Sequence, residues 1–289
     1  MRVALLGLGL IGGSLGLALR AERPDLEVVG WDPDPAAIAL ARKRGAIARA
    51  APSPAAAVAD ADRVVLAAPV GAFPALFAAI APGLRPEAVV TDVASTKAAV
   101  SAWAIAAGLN FVGGHPMAGI EQVGVAHARA DLFRGATWCV TPTPGADPAA
   151  VTAVEALAAA AGARPLRLDP ATHDAFVAAV SHLPFAASAA LVSLTTNDPR
   201  WAQMAPLAAT GYRDATRLAS GSPVMYRDIC LTNQEAIAPL LRQLAASLTS
   251  LADQLDDPPA VEAFFTRARD AREAWLAARN SLQMPHPAR

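Results

Sequence analysis

The chain has 289 residues, enough for roughly two domains at about 100–200 residues each. Hydrophobic residues make up 54% of it and charged residues 17%, a balance that supports a buried core and excludes an intrinsically disordered chain. The formal net charge of -1 gives no electrostatic case for binding nucleic acid or an anionic membrane, and the two cysteines, Cys139 and Cys230, have no paired spacing, which suits free thiols in a reducing cytoplasm.

Residues 2–6 are a compact apolar run, a strand candidate, and residues 11–20 continue with helical character. Gly7, Gly9, Gly12 and Gly13 interrupt the apolar start, and Arg20 and Glu22 end it. It therefore reads as neither a signal peptide nor a membrane span. The joint is Gly7-Leu8-Gly9-Leu10-Ile11-Gly12, a GxGxxG that leaves a strand and opens a helix. Glycine clusters also serve ordinary turns, so the context matters. Residues 26–31 form the next strand candidate, and Asp32 follows at its end, twenty residues after Gly12. In that setting Gly7 permits the tight turn, Gly9 lets backbone approach a pyrophosphate, and Gly12 lets helix pack on strand. The free N–H groups of the helix start favour phosphate. Asp32 accepts hydrogen bonds from the adenosine ribose and repels a 2′-phosphate, which favours NAD over NADP. Trp31 and Pro33 flank it, and Arg42 and Arg44 lie further along, on the helix expected over residues 35–44.

Further strands are expected over residues 63–68, 88–92, 111–112, 136–141 and 165–168, with helical segments between most of them. This alternation argues for a parallel sheet covered on both faces. At the end of the 88–92 strand stands Asp92-Val93-Ala94-Ser95-Thr96-Lys97. Ligands bind at that carboxyl edge, but Asp, Ser and Thr there also cap helices, and spacing alone does not separate the two roles. The next strand, 110–112, runs into Gly113-Gly114-His115-Pro116-Met117-Ala118-Gly119. The glycines allow backbone close to a ligand, Pro116 stiffens the exit, and His115 stands just past the strand end. An imidazole has an ordinary pKa of about 6.5, so a neutral base is populated there near neutral pH.

After Asp169 the pattern turns helical, over residues 170–194, 200–207, 222–255 and 259–278, which places a boundary near residue 169. Residues 283–289 read as a frayed end. No HxH, HExxH or CxxC suggests a metal set.

These segments, together with His173-Asp174, Ser181-His182-Leu183-Pro184, Tyr212-Arg213-Asp214-Ala215-Thr216-Arg217 and Ser222-Pro223-Val224-Met225-Tyr226-Arg227-Asp228, resemble the prephenate/arogenate dehydrogenases of tyrosine biosynthesis. The match runs in order from the first residues to about Leu255. The HPMAG and YRDATR stretches are specific to that family, and the glycine motif is not. The resemblance implies an α/β Rossmann-type dinucleotide-binding domain over residues 1–168. An all-α substrate and dimerisation domain over 169–289, making a cytoplasmic homodimer, follows it. It implies NAD-linked oxidative decarboxylation of prephenate, or of arogenate. His115 matches the catalytic histidine that bonds the substrate hydroxyl, and Ser95 the serine that contacts that hydroxyl and the nicotinamide. Arg217 matches the arginine that grips a substrate carboxylate, and His182 and Tyr226 match positions at or near the pocket. Gly7, Gly9, Leu10, Ile11, Gly12 and Asp32 would hold NAD.

There are departures. Many prephenate-using members read HLPH where this chain has Phe185, which leaves prephenate against arogenate open. No chorismate mutase segment precedes the match and no regulatory domain follows it, so feedback by tyrosine through such a domain is not expected. The wider β-hydroxyacid dehydrogenases use a lysine from the helical half, whereas Lys97 is the last lysine here. A non-catalytic dinucleotide sensor would keep the glycine motif but would not need His115, Ser95 and Arg217 together.

Overall fold

Parallel strands are buried on both faces, and the first apolar runs of the chain become such strands. The computed structural model describes residues 1–120 and 122–283; the frayed end expected at 283–289 lies outside them from residue 284 onward. Strands β1 (Arg2–Leu6), β2 (Glu27–Trp31), β3 (Arg49–Ala50), β4 (Arg63–Leu66) and β5 (Val89–Asp92) form an all-parallel sheet in the order β3-β2-β1-β4-β5. Alternate residues of β1 feed two cores. Val3 and Leu5 join Leu15, Leu19 and Val28, whereas Ala4 and Leu6 join Phe73, Phe77 and Val90 on the other face.

The helices of this half are α1 (Leu10–Glu22), α2 (Pro35–Lys43), α3 (Pro54–Val58), α4 (Phe73–Ile80), α5 (Ala98–Ala106) and α6 (Pro148–Ala160). Several helices start on one device, a polar cap followed by proline: Asp34-Pro35, Ser53-Pro54, Asp147-Pro148, and later Asp169-Pro170 and Ser222-Pro223. In each, the side chain accepts a first-turn N–H and proline occupies a position whose own N–H has no partner to lose.

The expected strand over 110–112 is only an isolated bridge, Val90 to Phe111. The strand proper is β6 (Gly113–Pro116), which contains His115. It runs antiparallel to β7 (Thr137–Thr141), with His115 opposite Cys139, and β7 pairs in parallel with β8 (Arg164–Arg167). A glycine pair followed by proline hides this strand from any reading of β propensity.

After β8 the described residues are helical. The expected helix over 170–194 is α7 (Pro170–Val177), a π-helical turn (Ala178–His182) and α8 (Leu183–Thr196). By length and composition this run, Pro170–Thr196, is long and apolar enough to cross a bilayer. Its buried face nevertheless carries His173, Asp174 and His182. Then come α9 (Trp201–Met204), α10 (Thr210–Thr216), a 3-10 turn (Arg217–Ser220) and α11 (Pro223–Thr232). Asn233 breaks the helix expected over 222–255 into α11 and α12 (Gln234–Ala252), and α13 (Pro258–Gln283) closes the described chain. The described residues pack as two compact units, one over Met1–Ile237 and one from Ala238 onward. Every group of the site below belongs to the first.

Candidate active site

The glycine loop is shaped for a ligand. Gly7 has φ +104°, and a Cβ there would lie 2.5 Å from the backbone of Ala67. A Cβ on Gly12 would lie 2.0 Å from the Gly7 carbonyl oxygen. At Gly9 a Cβ would meet nothing within 4 Å, so the space is open on the ligand side. Gly9 caps α1 without a side-chain hydrogen bond, and no acidic residue sits in the first turn. Leu10 and Ile11 begin that turn, and its N–H groups are left to an external anion. Asp32 is fixed beside the loop, its Oδ2 accepting the Leu8 N–H at 2.7 Å and its Oδ1 that of Asp34 at 2.9 Å. Arg44 is committed elsewhere, donating to the carbonyls of Ala126 and Ala128. The residues present fit a dinucleotide.

At the carboxyl end of β5 the Asp92 side chain is wholly buried. It accepts the N–H of Ala94 (3.0 Å) and of Gly114 (2.9 Å) and pairs with the Lys97 ammonium. Lys97, also wholly buried, donates to the Gly114 carbonyl at 2.8 Å. Burial pushes the Asp92 carboxyl up and the Lys97 ammonium down, each against its partner's pull. The two together hold both polar groups of the Gly114 residue, and so hold the backbone that carries His115.

This corrects the expectation that Gly113 and Gly114 leave room for a ligand. A Cβ on Gly114 would lie 2.6 Å from the Asp92 carbonyl oxygen and 2.9 Å from Trp138 Nε1, and one on Gly113 would lie 2.3 Å from Thr141 Oγ1. These glycines let β6 close on β5 and β7.

His115 is 8% exposed, and its Nδ1 lies 2.9 Å from Nε2 of the fully buried His173. His173 Nδ1 is 2.8 Å from Asp174 Oδ1. Asp174 also accepts the N–H of Lys97 (2.7 Å) and of Ala98 (2.8 Å), which ties α7 to the start of α5. Burial, then His173, Lys97 and His182, push the His115 pKa well below its ordinary value, which corrects the expected value of about 6.5 and deepens the preference for the neutral base.

His182, on the π-helical turn, is fully buried. Asn233 donates one amide hydrogen to the Asp174 carbonyl (2.8 Å) and the other to His182 Nδ1 (3.2 Å). Burial is the main force that brings His182 down to about 4; Asp174 opposes it and His173 adds to it. Nδ1 is the acceptor, so the neutral ring carries its hydrogen on Nε2, which is buried with no hydrogen-bond partner.

Ser95 is half-buried in the β5–α5 loop. Arg217 is exposed and opens the 3-10 turn that bears its number. Tyr226 is half-buried and supports that turn: its hydroxyl donates to the Leu218 carbonyl at 2.6 Å, and the Ala219 N–H donates to Ser188 Oγ at 3.0 Å. Phe185, the departure from HLPH, stacks on Tyr226 at 4.0 Å between ring centres and lies 5.8 Å from the His182 ring. The hydrogen-bonded cluster around His115 thus takes in His173, Asp174, Asp92 and Lys97, and reaches His182 through Asn233. The bonds described do not bring Ser95, Arg217 or Tyr226 into it. No role for His173, Asp174, Lys97 or Asn233 followed from spacing; the one signal was His-Asp in the first turns of an otherwise apolar helix.

Comparison with known proteins agrees in both halves. Residues 15–166 match the family model described as prephenate dehydrogenase, nucleotide-binding domain, and residues 169–265 the model described as prephenate dehydrogenase, dimerization domain. The chain is 34% identical to a prephenate dehydrogenase of Bacillus subtilis over 278 residues, which is 94% of this chain and 75% of the relative. Prephenate dehydrogenase from A. aeolicus, solved with hydroxyphenyl propionate and NAD+, superposes with a TM-score of 0.89 at 28% identity, covering 95% of this chain and 98% of that one. An arogenate dehydrogenase of Synechocystis gives 0.81 at 28% identity, covering 95% and 100%.

Proposed function

This chain belongs to the prephenate dehydrogenase family, and on that premise we propose that it catalyses the NAD-dependent oxidative decarboxylation of prephenate to 4-hydroxyphenylpyruvate. The observation that carries this reading is a buried, neutral imidazole, His115, held on β6 beside the carboxyl end of β5, in whose sheet the glycine loop leaves an open, anion-ready cradle. When bound, NAD supplies the acceptor for the hydride from the substrate's C4. Gly7, Gly9, Leu10, Ile11 and Gly12 take its phosphates and Asp32 its adenosine ribose.

His115 takes the proton of the substrate's 4-hydroxyl at Nε2. Ser95 hydrogen-bonds the same hydroxyl and the nicotinamide. Loss of the ring carboxylate as CO₂ makes the ring aromatic, and the phenolate oxygen takes the proton back from His115, so the balanced reaction releases none. Arg217 grips a carboxylate with its planar fork. His182 offers its unpartnered Nε2–H to the substrate, and Tyr226 supports the Arg217 turn. Functionally, residues 1–168 serve the nucleotide and residues 169–289 serve substrate and dimerisation. A homodimer is supported by the match to a dimerization domain and by the exposed Phe176, Val180, Leu191 and Leu194 of the α7–α8 run. The reading is of a cytoplasmic enzyme that binds neither nucleic acid nor membrane.

Phe185 supports a second reading, in which arogenate is the substrate and L-tyrosine the product, because it offers no hydrogen bond to a side-chain carboxylate. The test is turnover of NAD with each substrate, followed by NADH formation and product identity. Prephenate should give the higher kcat/KM. Preference for arogenate selects the second reading, and no turnover of either would refute both.

A further inference from the structure

The geometry assigns His173 and Asp174 to the reaction as positioning residues that fix which nitrogen of His115 carries its hydrogen and share the charge His115 takes up. This rests on the reading of His115 as the base. A carboxylate only accepts, so the 2.8 Å contact with Asp174 Oδ1 requires a hydrogen on His173 Nδ1. In its neutral form His173 then presents a bare Nε2, 2.9 Å from His115 Nδ1. That contact is a hydrogen bond only if His115 Nδ1 carries the hydrogen. His115 Nε2 is left with its lone pair, as a base must be. The end of the chain is held firmly, because Asp174 accepts two further N–H groups at the start of α5, where an anion is favoured.

The same chain moves charge. As the substrate hydroxyl passes its proton to His115 Nε2, the hydrogen on His115 Nδ1 crosses to His173 Nε2. His115 ends neutral, and the positive charge sits on His173 against the Asp174 carboxylate. When the phenolate oxygen takes its proton back, the hydrogen between the rings returns, and none is left over. A cation on His115 itself would be buried and would face Lys97 from the β5–α5 loop, His173 from α7 and His182 from the π-helical turn, with Asp92 already spent on Lys97. One ring further on, it meets a carboxylate.

Histidine-selective ¹⁵N NMR of the full-length protein reads the tautomer, with the His115→Asn spectrum identifying the signal. The wild type should carry the His115 hydrogen on Nδ1. In Asp174→Asn the side chain no longer offers a carboxylate to a charged His173, whichever way the amide turns against the Lys97 and Ala98 N–H groups. The kcat for prephenate should then fall about 10²-fold or more, with the NAD dissociation constant unchanged. In His173→Gln the amide oxygen accepts the His115 hydrogen but cannot take the charge, so the tautomer should survive while kcat falls. A merely structural role would lower thermal stability and leave kcat of the folded Asp174→Asn protein as in the wild type. A wild-type hydrogen on His115 Nε2, or a folded Asp174→Asn protein with kcat unchanged, overturns the proposal. The wild-type spectrum decides it even where a variant fails to fold. Lack of prephenate turnover by the wild type refutes the proposed function instead, since the tautomer is read without turnover.

Discussion

Acid should destabilise this protein through His182. The ring is fully buried, and its pKa lies at about 4 instead of the ordinary 6.5, chiefly because burial penalises the cation. A histidine depressed in the folded state takes up its proton first in the unfolded chain. The stability it confers is therefore complete above about pH 6.5 and is lost as pH falls toward about 4. At about 1.4 kcal/mol per pH unit between the two values, the full loss is about 3 kcal/mol, and about 2 kcal/mol of it is gone by about pH 5. His115, also depressed by burial, adds a loss of the same sign. His182→Asn removes the titration while keeping an acceptor where Nδ1 meets Asn233. Urea unfolding followed by tryptophan fluorescence suits the measurement, because Trp138 is fully buried. Between about pH 7 and about pH 5 the wild type should lose about 2 kcal/mol more than His182→Asn. Equal losses in the two proteins would refute the assignment of a neutral, buried His182.

Gly114→Ala should cost about 1–3 kcal/mol in calorimetric unfolding and lower kcat with it, since its Cβ meets Asp92 and Trp138 next to His115; an unchanged melting temperature would show that β6 gives way freely. NADP should show a kcat/KM at least about tenfold below that of NAD, because Asp32 repels the 2′-phosphate and Arg44 is occupied by two carbonyls; equal values would remove Asp32 from the ribose. Arg217→Ala should raise KM for prephenate about tenfold or more at unchanged NAD affinity, and Arg217→Lys should not restore it; an unchanged KM would move the assignment to Arg213, which now pairs with Asp214.

The parallel sheet and the cofactor loop were readable because each rests on a local rule: apolar runs for doubly buried strands, glycines where the backbone admits no Cβ, an acidic residue after β2. The polar-cap-and-proline pairs that start several helices obey an equally local rule. What escaped was made by tertiary contact. Gly113-Gly114-His115-Pro116 has no strand propensity of its own and becomes β6 because Asp92 and Lys97 hold it. Asp92 could be a helix cap or a ligand-edge residue by spacing and nothing pointed from it to Lys97; only folding buries them as a pair. His173 and His115 are 58 positions apart, and no periodicity joins them. Phe185 read as a missing histidine, whereas the fold gives it a ring to stack on.

The central claim is that His115 is the base, and His115→Asn tests it most directly. Asparagine keeps a hydrogen-bonding group of similar reach and removes the proton acceptor. With NAD and prephenate saturating, kcat should fall by about 10² to 10⁴, the usual worth of a positioned general base, while the NAD dissociation constant stays at the wild-type value. The wild-type acid limb, which burial places well below pH 6.5, should vanish in the variant. A variant that keeps more than about a tenth of wild-type kcat, far above what loss of a general base allows, would contradict the account and send the search for the base first to His182.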